Sequence, residues 1–432
     1  MGGFSVKTLY PFQAQAVDII TQLPGFILAD ECGLGKTVTA IEACRQSLLH
    51  DKILIIAPPA LLAQWQSEIE DQNAGVPITV VNRLPIDFRN LTGYFLMGVY
   101  DLSSDKVRAT LYSTVFDIVI IDEAHRIKNR KTLTAKWVKK ISAVRRICLT
   151  GSPMEKNPAD LWSLLNFIAP DDFPAYWNFV LKYLNVEAGY FEKYMVGGPK
   201  DPEAFGALLQ EYMLRRTKTE VMPQLPEKIV IEQKVDMTPA QQEMYDDIKK
   251  QKDIIVELKS GGQLLIPNAL ALLTRLQQIS IWPGLIDNSS SSCESGKLNW
   301  LATFLEDHAG EPAVIFTRFR DVATRVHALY GGDIVIGGRR EISEHPTLCT
   351  GTIDAMGEGL NFQWAKHAIF LDSHWSTIKM TQAIDRIHRI NITEPKNLYF
   401  LWSTREDKLV IDAFNDKMSE AELVYYFMKG LE

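Results

Sequence analysis

Two segments of the sequence bring together residue types able to handle a phosphoanhydride. The first, ILADECGLGKTVTAIEA at 27–43, runs from an apolar stretch through a glycine-bearing loop into Lys36, Thr37 and an amphipathic helical pattern. Gly33 and Gly35 carry no side chain to keep backbone N–H groups away from a phosphate, and the N-terminus of the following helix adds a favourable field. Lys36 is placed to reach the β and γ phosphates, and the Thr37 hydroxyl to take a position on Mg2+. The general phosphate-loop pattern has glycine where this chain has Asp30. Read alone, the segment is also compatible with a plain turn before an ordinary helix. The second segment, DIVIIDEAHRIKN at 117–129, delivers Asp122 and Glu123 at the end of an apolar run. Asp122 is placed to hold Mg2+ through water, and Glu123 to orient and deprotonate an attacking water. Adjacent carboxylates after a strand also serve as a helix cap; the preceding Lys36-Thr37 pair, a domain-sized interval away, argues against that simpler role.

Both segments need strands to carry them. Phe26 to Ala29, Ile53 to Ala57 and Ile118 to Ile121 are short apolar runs followed by loop and helical patterns, the rhythm of a parallel sheet with crossover helices. A second set begins at Ala313–Phe316 and continues with Ala368–Leu371. Between them, about 155–295, the texture changes to helix formers and aromatic residues, with KIVIEQKV at 228–235 as its one strand rhythm and a Ser-rich break at 287–296. No short-period repeat is present, which argues against a solenoid.

Composition sets the outer bounds. A chain of 432 residues exceeds one ordinary core. Net charge is −7, so any positive surface for nucleic acid has to be concentrated in one cleft. No apolar stretch reaches the roughly 18 residues of a membrane span, and the N-terminus lacks a secretory pattern. The five cysteines are scattered without a CxxC pair, which fits an intracellular, reducing setting and indicates neither zinc nor disulfides.

DECGLGKT at 30–37 with DEAH at 122–125 resembles superfamily 2 helicases, specifically the Swi/Snf-like DNA translocases. In that family Asp30 and Glu31 are usual, so the missing glycine becomes a family mark. The resemblance runs over nearly the whole chain and implies an α/β fold of two tandem RecA-like parallel-sheet lobes with short helical insertions. Lobe 1 is expected over 1–225 with an insert at about 155–215, and lobe 2 over 226–432 with an insert at about 238–290. The nucleotide site implied comprises Asp30, Glu31, Cys32, Gly33, Leu34, Gly35, Lys36 and Thr37, with Gln13 of LYPFQAQAV reading the adenine, Gly359 contributing from lobe 2, and ATP and Mg2+ as ligands. Asp122 and Glu123 are the implied catalytic acids, and Arg386 and Arg389 of QAIDRIHRI the implied arginine fingers. His125, Thr150, Ser152 and Gln382 are implied to couple the ATP and DNA sites. DNA contacts are implied at Pro58 and Leu61 of the first tracking loop, at Thr317 and Arg318 of AVIFTRF, and at Asn361 and Trp375. Lys128 joins them as the better-placed member of the basic clusters at 126–131, 139–146, 214–218 and 339–340, most of which read as solvated surface. Met356 and Glu358 depart from the family's usual residues in the loop around Gly357.

Together these readings imply a DNA-dependent ATPase, working as a monomer on duplex or branched DNA without sequence preference. A cytoplasmic or nucleoid-associated location follows for a prokaryotic or phage source, and the Met1 start and lack of tails point to a natural minimal protein. Two rivals remain: a strand-separating or strand-annealing helicase on forks or recombination intermediates, and an ATP-gated clamp that recruits rather than moves. The aromatic stretch 171–185 reads as the core of the insert in preference to a base-stacking platform.

Overall fold

The computed structural model describes residues 8–48, 51–73, 75–154, 157–187, 194–250, 255–257, 263–265, 269–287, 294–343, 346–357 and 359–416. The chain divides into two compact units, Met1–Pro223 and Gln224–Glu432.

The first unit is built on a seven-stranded sheet. Its strands are β1 (Gly25–Leu28), β2 (Lys52–Ala57), β3 (Ile78–Val81), β4 (Gly93–Gly98), β5 (Val115–Ile121), β6 (Ser142–Leu149) and, after a two-stranded pair β7 (Leu184–Glu187) and β8 (Met195–Pro199), β9 (Met213–Leu214). The order is β3-β4-β2-β5-β6-β1-β9, every pairing parallel. Parallel strands with helices on both faces are buried on both sides, which is why β1 and β4 are apolar and buried end to end. Because β5, β6 and β1 are neighbours, the loops at their carboxyl ends lie side by side, where open α/β sheets bind ligands.

The second unit has its own seven-stranded sheet: β10 (Lys228–Lys234), then, after the small β11 (Ile255–Glu257) and β12 (Gln263–Leu265) pair, β13 (Ala313–Thr317), β14 (Asp333–Ile336), β15 (Arg339–Glu341), β16 (Leu348–Thr352), β17 (His367–Phe370) and β18 (Lys396–Trp402). The order is β10-β18-β17-β13-β16-β14-β15, parallel except for the antiparallel edge strand β15. The α/β architecture of two parallel-sheet units with helical insertions is therefore present. The KIVIEQK strand is the largely exposed edge of this sheet.

Both insertions hold more than helix. That of the first unit consists of helices Leu161–Ile168, Tyr176–Tyr183 and Pro202–Tyr212 around the antiparallel β7–β8 pair. Gly197 and Gly198 in β8 dilute the strand signal in the sequence. The aromatic stretch is core: Phe173, Phe179 and Val180 are buried in the same cluster as the sheet residues Ile27 and Leu54. The basic clusters also turn inward more than solvated surface would. Arg130 lies 3.9 Å from the Tyr176 ring centroid and Lys139 4.2 Å from that of Trp162. Burial pushes the Lys139 ammonium down to about 8. Arg145 is 9% exposed within β6, its guanidinium donating to Leu23 O, Thr21 O and Ser47 Oγ.

Helix Gly296–Asp307 of the second unit opens the segment SGKLNWL, and Lys297 there is completely buried. Its Nζ donates to Asp407 Oδ2 at 2.8 Å and Leu371 O at 3.0 Å. Lys297→Met strands a buried carboxylate, and is expected to cost about 3–5 kcal/mol in urea denaturation; a loss under 1 kcal/mol would contradict this account. At the amino end of β17, Glu311 accepts from the ammonium of Lys366 and from His367 Nε2 at 2.6 Å, and His308 stands beside them with its ring centroid 4.9 Å from that of His367. The Lys366 and His367 bonds hold the Glu311 carboxyl down to about 2. Glu311 and Lys366 form a partly exposed ion pair, with the two imidazoles packed beside it.

Candidate active site

Helix α1 (Pro11–Gln22) leads into β1, which ends at Leu28; the turn after Ala29 passes Gly33 (φ 88°) and Gly35 (φ 79°) before helix α2 (Lys36–Gln46) begins. These left-handed conformations are cheap for glycine alone. Leu34 between them is 1% exposed and anchors the turn, so Gly33 and Gly35 on either side stay half-exposed. The first N–H groups of α2 have no partner within the helix, and they open toward the turn. Lys36 folds back across it: Nζ donates to Asp30 O at 2.7 Å and lies 4.0 Å from Cys32 Sγ. Thr37 is half-exposed on the first turn of α2. Such a turn, with one cation over it, is able to cradle an anion.

At the end of β5, Asp122 Oδ1 accepts from Glu123 N at 2.9 Å and Oδ2 from Trp65 Nε1 at 2.9 Å. Burial, then the neighbouring Glu123 carboxylate, raises the Asp122 carboxyl above the usual carboxylate range, while the Lys36 ammonium pulls the other way. Glu123 has φ 50°, an uncommon conformation for a residue with a long side chain, and its Oε2 is 3.2 Å from His125 Nδ1. Two half-buried acids side by side are able to accept a cation. With Thr37 and the turn near by, the donor set fits a hard divalent ion held with phosphate oxygens.

The end of β6 closes the group. Thr150 is fully buried, its N–H donating to Leu28 O of β1, and its Oγ1 accepts from Ser152 N at 3.1 Å. A Cβ on Gly151 would sit 2.3 Å from Cys32 Sγ and 3.6 Å from Lys36 Nζ. The β6 loop therefore touches the turn with no room to spare. Gly151→Ala is expected to cost about 1–3 kcal/mol by overpacking. Cys32→Ala should recover part of it in a double-mutant cycle read by denaturation; strict additivity would show that the contact does not matter.

Lys36, Thr37, Asp122, Glu123, His125, Thr150 and Ser152 all sit on this edge. Other residues expected at the site have their side chains engaged elsewhere. The carboxylates of Asp30 and Glu31 are engaged away from the cradle: Asp30, 2% exposed, takes Arg216 Nε at 3.0 Å and Nη2 at 2.5 Å, and Glu31 Oε2 takes Lys218 N at 2.7 Å. Gln13 is 3% exposed, with Nε2 donating to Leu34 O and Oε1 accepting from Tyr10 N, both at 3.0 Å, so its carboxamide braces the turn. Leu61 is 6% exposed in the core and Pro58 is buried; the exposed residues of that loop are Pro59 and Ala60. Lys128 is half-buried in the turn after His125. Trp65, Gly151, Arg216 and Lys218 were not singled out as individual site residues from the sequence. For Trp65 the only signal was its place in the segment after β2, and for Arg216 and Lys218 their place in a basic run.

In the second unit, Thr317 is fully buried and its Oγ1 accepts from Phe319 N, so its side chain is no surface contact. Arg318 stacks on Trp375, 3.6 Å from the ring centroid, and donates to Gln277 Oε1 at 2.7 Å. That pairing ties the insert helix Ala269–Ile281 to the loops after β13 and β17 and turns the Arg318 charge inward. Gly359 has φ 70°, and exposed Asn361 bonds Gln363; Glu358 lies outside the described residues. Gln382 Cβ packs 3.8 Å from where a Cβ on Gly357 would stand. The two arginines of QAIDRIHRI differ. Arg386 is 9% exposed with Nε on Gly357 O at 2.8 Å, a bracket for that loop. Arg389 is half-buried, with Nε on Asp385 O at 3.1 Å.

Residues 12–285 match the family described as SNF2-related domain, and 343–391 the helicase conserved C-terminal domain. The uncharacterized ATP-dependent helicase MG018 of Mycoplasma genitalium is 28% identical over 429 residues, covering 91% of this chain and 40% of its own length. The DNA annealing helicase and endonuclease ZRANB3 of Mus musculus is 25% identical, over 91% of this chain and 38% of its own. The chain thus spans about two fifths of the length of these curated relatives. Among solved structures, the Sulfolobus solfataricus SWI2/SNF2 ATPase core in complex with dsDNA is 24% identical, with a TM-score of 0.48, and covers 96% of this chain and 92% of that one.

Proposed function

Since the chain belongs to the SNF2-related family of helicase-type proteins, we propose that it hydrolyses ATP to drive translocation along duplex or branched DNA, as a monomer and without reading sequence. The observation that carries this is the joining of Lys36, the Asp122–Glu123 pair and the Thr150–Ser152 loop on three neighbouring strand ends.

In this reading the turn at Gly33–Gly35 and the N-terminus of α2 bind the phosphates through backbone N–H groups. Lys36 exchanges the Asp30 carbonyl for a phosphate oxygen. Thr37 and Asp122 would hold Mg2+, which would supply positive charge to the phosphates. Glu123, held in its left-handed turn and oriented by His125, accepts the proton of the attacking water. Arg389, the less buried of the two arginines, is the finger in this reading, and Arg386 holds the Gly357 carbonyl. Thr150, Ser152 and Gln382 relay the state of the nucleotide to the DNA-facing loops. Those loops present Pro59, Ala60, Lys128 and Asn361, mostly through backbone.

The test is ATP turnover without nucleic acid and with single-stranded DNA, duplexes of increasing length, forked DNA and RNA, together with triplex displacement. Turnover that rises with duplex length, falls steeply with salt and displaces a third strand is the expected result. Turnover indifferent to duplex length would leave an ATP-gated clamp as the function. A second reading, strand annealing, is favoured by the likeness to ZRANB3 over 91% of the chain; rewinding of a bubble with no triplex displacement would select it.

A further inference from the structure

The acidic pair at the head of the phosphate turn has a partner that lies far along the chain. β9 runs beside β1, and the ladder continues past both strands: Ala29 N donates to Leu214 O at 2.7 Å and Glu31 N to Arg216 O at 2.9 Å. Arg216 then closes on Asp30 with three bonds, from its own N–H at 3.1 Å, Nε at 3.0 Å and Nη2 at 2.5 Å. Its Nη1 reaches Phe12 O and Gln15 Oε1 in the helix Pro11–Gln22, and its guanidinium lies 5.2 Å from the Phe12 ring centroid. Lys218, 4% exposed, gives its N–H to Glu31 Oε2 and holds its Nζ 3.8 Å from Oε1. Beyond it the chain runs through a four-residue helix, Lys218–Val221, and leaves the first unit at Pro223.

Asp30 is held at two ends. Its carbonyl accepts the Lys36 ammonium, and its carboxylate accepts Arg216. A lysine that turns to phosphate gives up the carbonyl, and the Asp30 carboxylate then keeps its direction through Arg216, beside the ladder bonds of Ala29 and Glu31. A buried carboxylate with a forked, fully bonded guanidinium is a stiff joint, because the planar fork fixes direction as well as distance.

We propose that Arg216 is a positioning residue for ATP hydrolysis. Through Asp30 it keeps the phosphate turn in its receiving conformation, and it carries nucleotide occupancy of that turn into segment 217–223, the exit from the first unit. The proposal rests on the ATP-site reading above. It gives the Asp30–Glu31 pair a task other than touching nucleotide: the two acids hold the exit segment in register with the loop.

The test combines kinetics with amide hydrogen exchange on the full chain, using Arg216→Gln and the charge-keeping Arg216→Lys, with a slowly hydrolysed ATP analogue and Mg2+. In the wild type the analogue is expected to slow exchange in 27–38 and also in 217–223. In Arg216→Gln protection of 27–38 persists at saturating analogue, protection of 217–223 is lost, and kcat falls about 10- to 100-fold, as for a small misplacement of reacting groups. Arg216→Lys, with a single ammonium group in place of a planar fork, restores part of kcat and part of the protection. Equal nucleotide-dependent protection of 217–223 in wild type and Arg216→Gln overturns the proposal, as does a kcat unchanged beside a lowered Tm. If Arg216→Gln does not fold, Arg216→Lys decides alone: full protection of 217–223 with wild-type kcat overturns the proposal. Absence of protection at 27–38 in the wild type itself would instead overturn the ATP-site reading, and this proposal with it.

Discussion

Lys36→Ala is expected to lower kcat/KM for ATP by at least about 10²–10³, the effect of removing one preorganised charge from a site of developing negative charge. The argument lies in where the ammonium rests. Lys36 is the first residue of α2, and its side chain crosses the turn to Asp30 O at 2.7 Å, so the cation already stands over the cradle. Backbone N–H groups still bind phosphate in the variant, but they carry partial charges only. Nucleotide binding weakens and turnover falls together. Lys36→Arg is expected to rescue little, since a planar guanidinium cannot replace a point ammonium packed beside Cys32 and the Gly151 position. The measurement is steady-state turnover with and without DNA, alongside circular dichroism to show the fold is intact. Turnover within a few-fold of wild type in a folded variant would remove Lys36 from the site.

Glu123→Gln separates binding from chemistry. The amide keeps the size of the side chain and its reach to His125, and loses the ability to accept a proton. Affinity for ATP should stay within a few-fold of wild type while hydrolysis slows by about 10²–10⁴, the usual worth of general-base catalysis. The left-handed backbone at Glu123 (φ 50°) tolerates Gln as well as Glu, so the change introduces no new strain. A single-turnover experiment with preloaded nucleotide reads the chemical step directly. Fast single-turnover hydrolysis would mean that another group orients the water.

Much of this site is visible in the linear sequence, for a physical reason. Parallel strands buried on both faces must be runs of apolar residues, so β1, β2, β5, β13 and β17 stand out without knowledge of their neighbours. The glycine turn and the paired acids follow those runs directly. β6 is masked by its own arginines: Arg145 and Arg146 break the apolar run, yet their guanidinium groups leave the sheet to bond carbonyls at Thr21, Leu23, Ile141 and Phe167. The partners of the acids are hidden by distance along the chain. Trp65 meets Asp122 across 57 residues, and Arg216 meets Asp30 across 186. Which arginine finds which carboxylate is decided by β9 lying beside β1, a fact of topology that residue spacing does not contain. Burial is the other gap. Leu61, Thr317 and Arg386 sit in motifs that the resemblance assigns to function, and their side chains are buried, which residue spacing does not reveal.

The seventh strand of the first sheet also bears on where this protein can be cut. A fragment stopped after the insert helix Pro202–Tyr212 would omit β9 and Arg216, leaving the Asp30 carboxylate buried without its cation and the edge of β1 unpaired. Breaking a buried pair in this way costs about 3–5 kcal/mol, a large share of a domain's stability. A fragment carried on to Pro223 keeps strand, arginine and lysine together. Expression of the first half by itself therefore turns on about ten residues at its C-terminal border, and the ratio of soluble yields from the two end points measures what the seventh strand is worth.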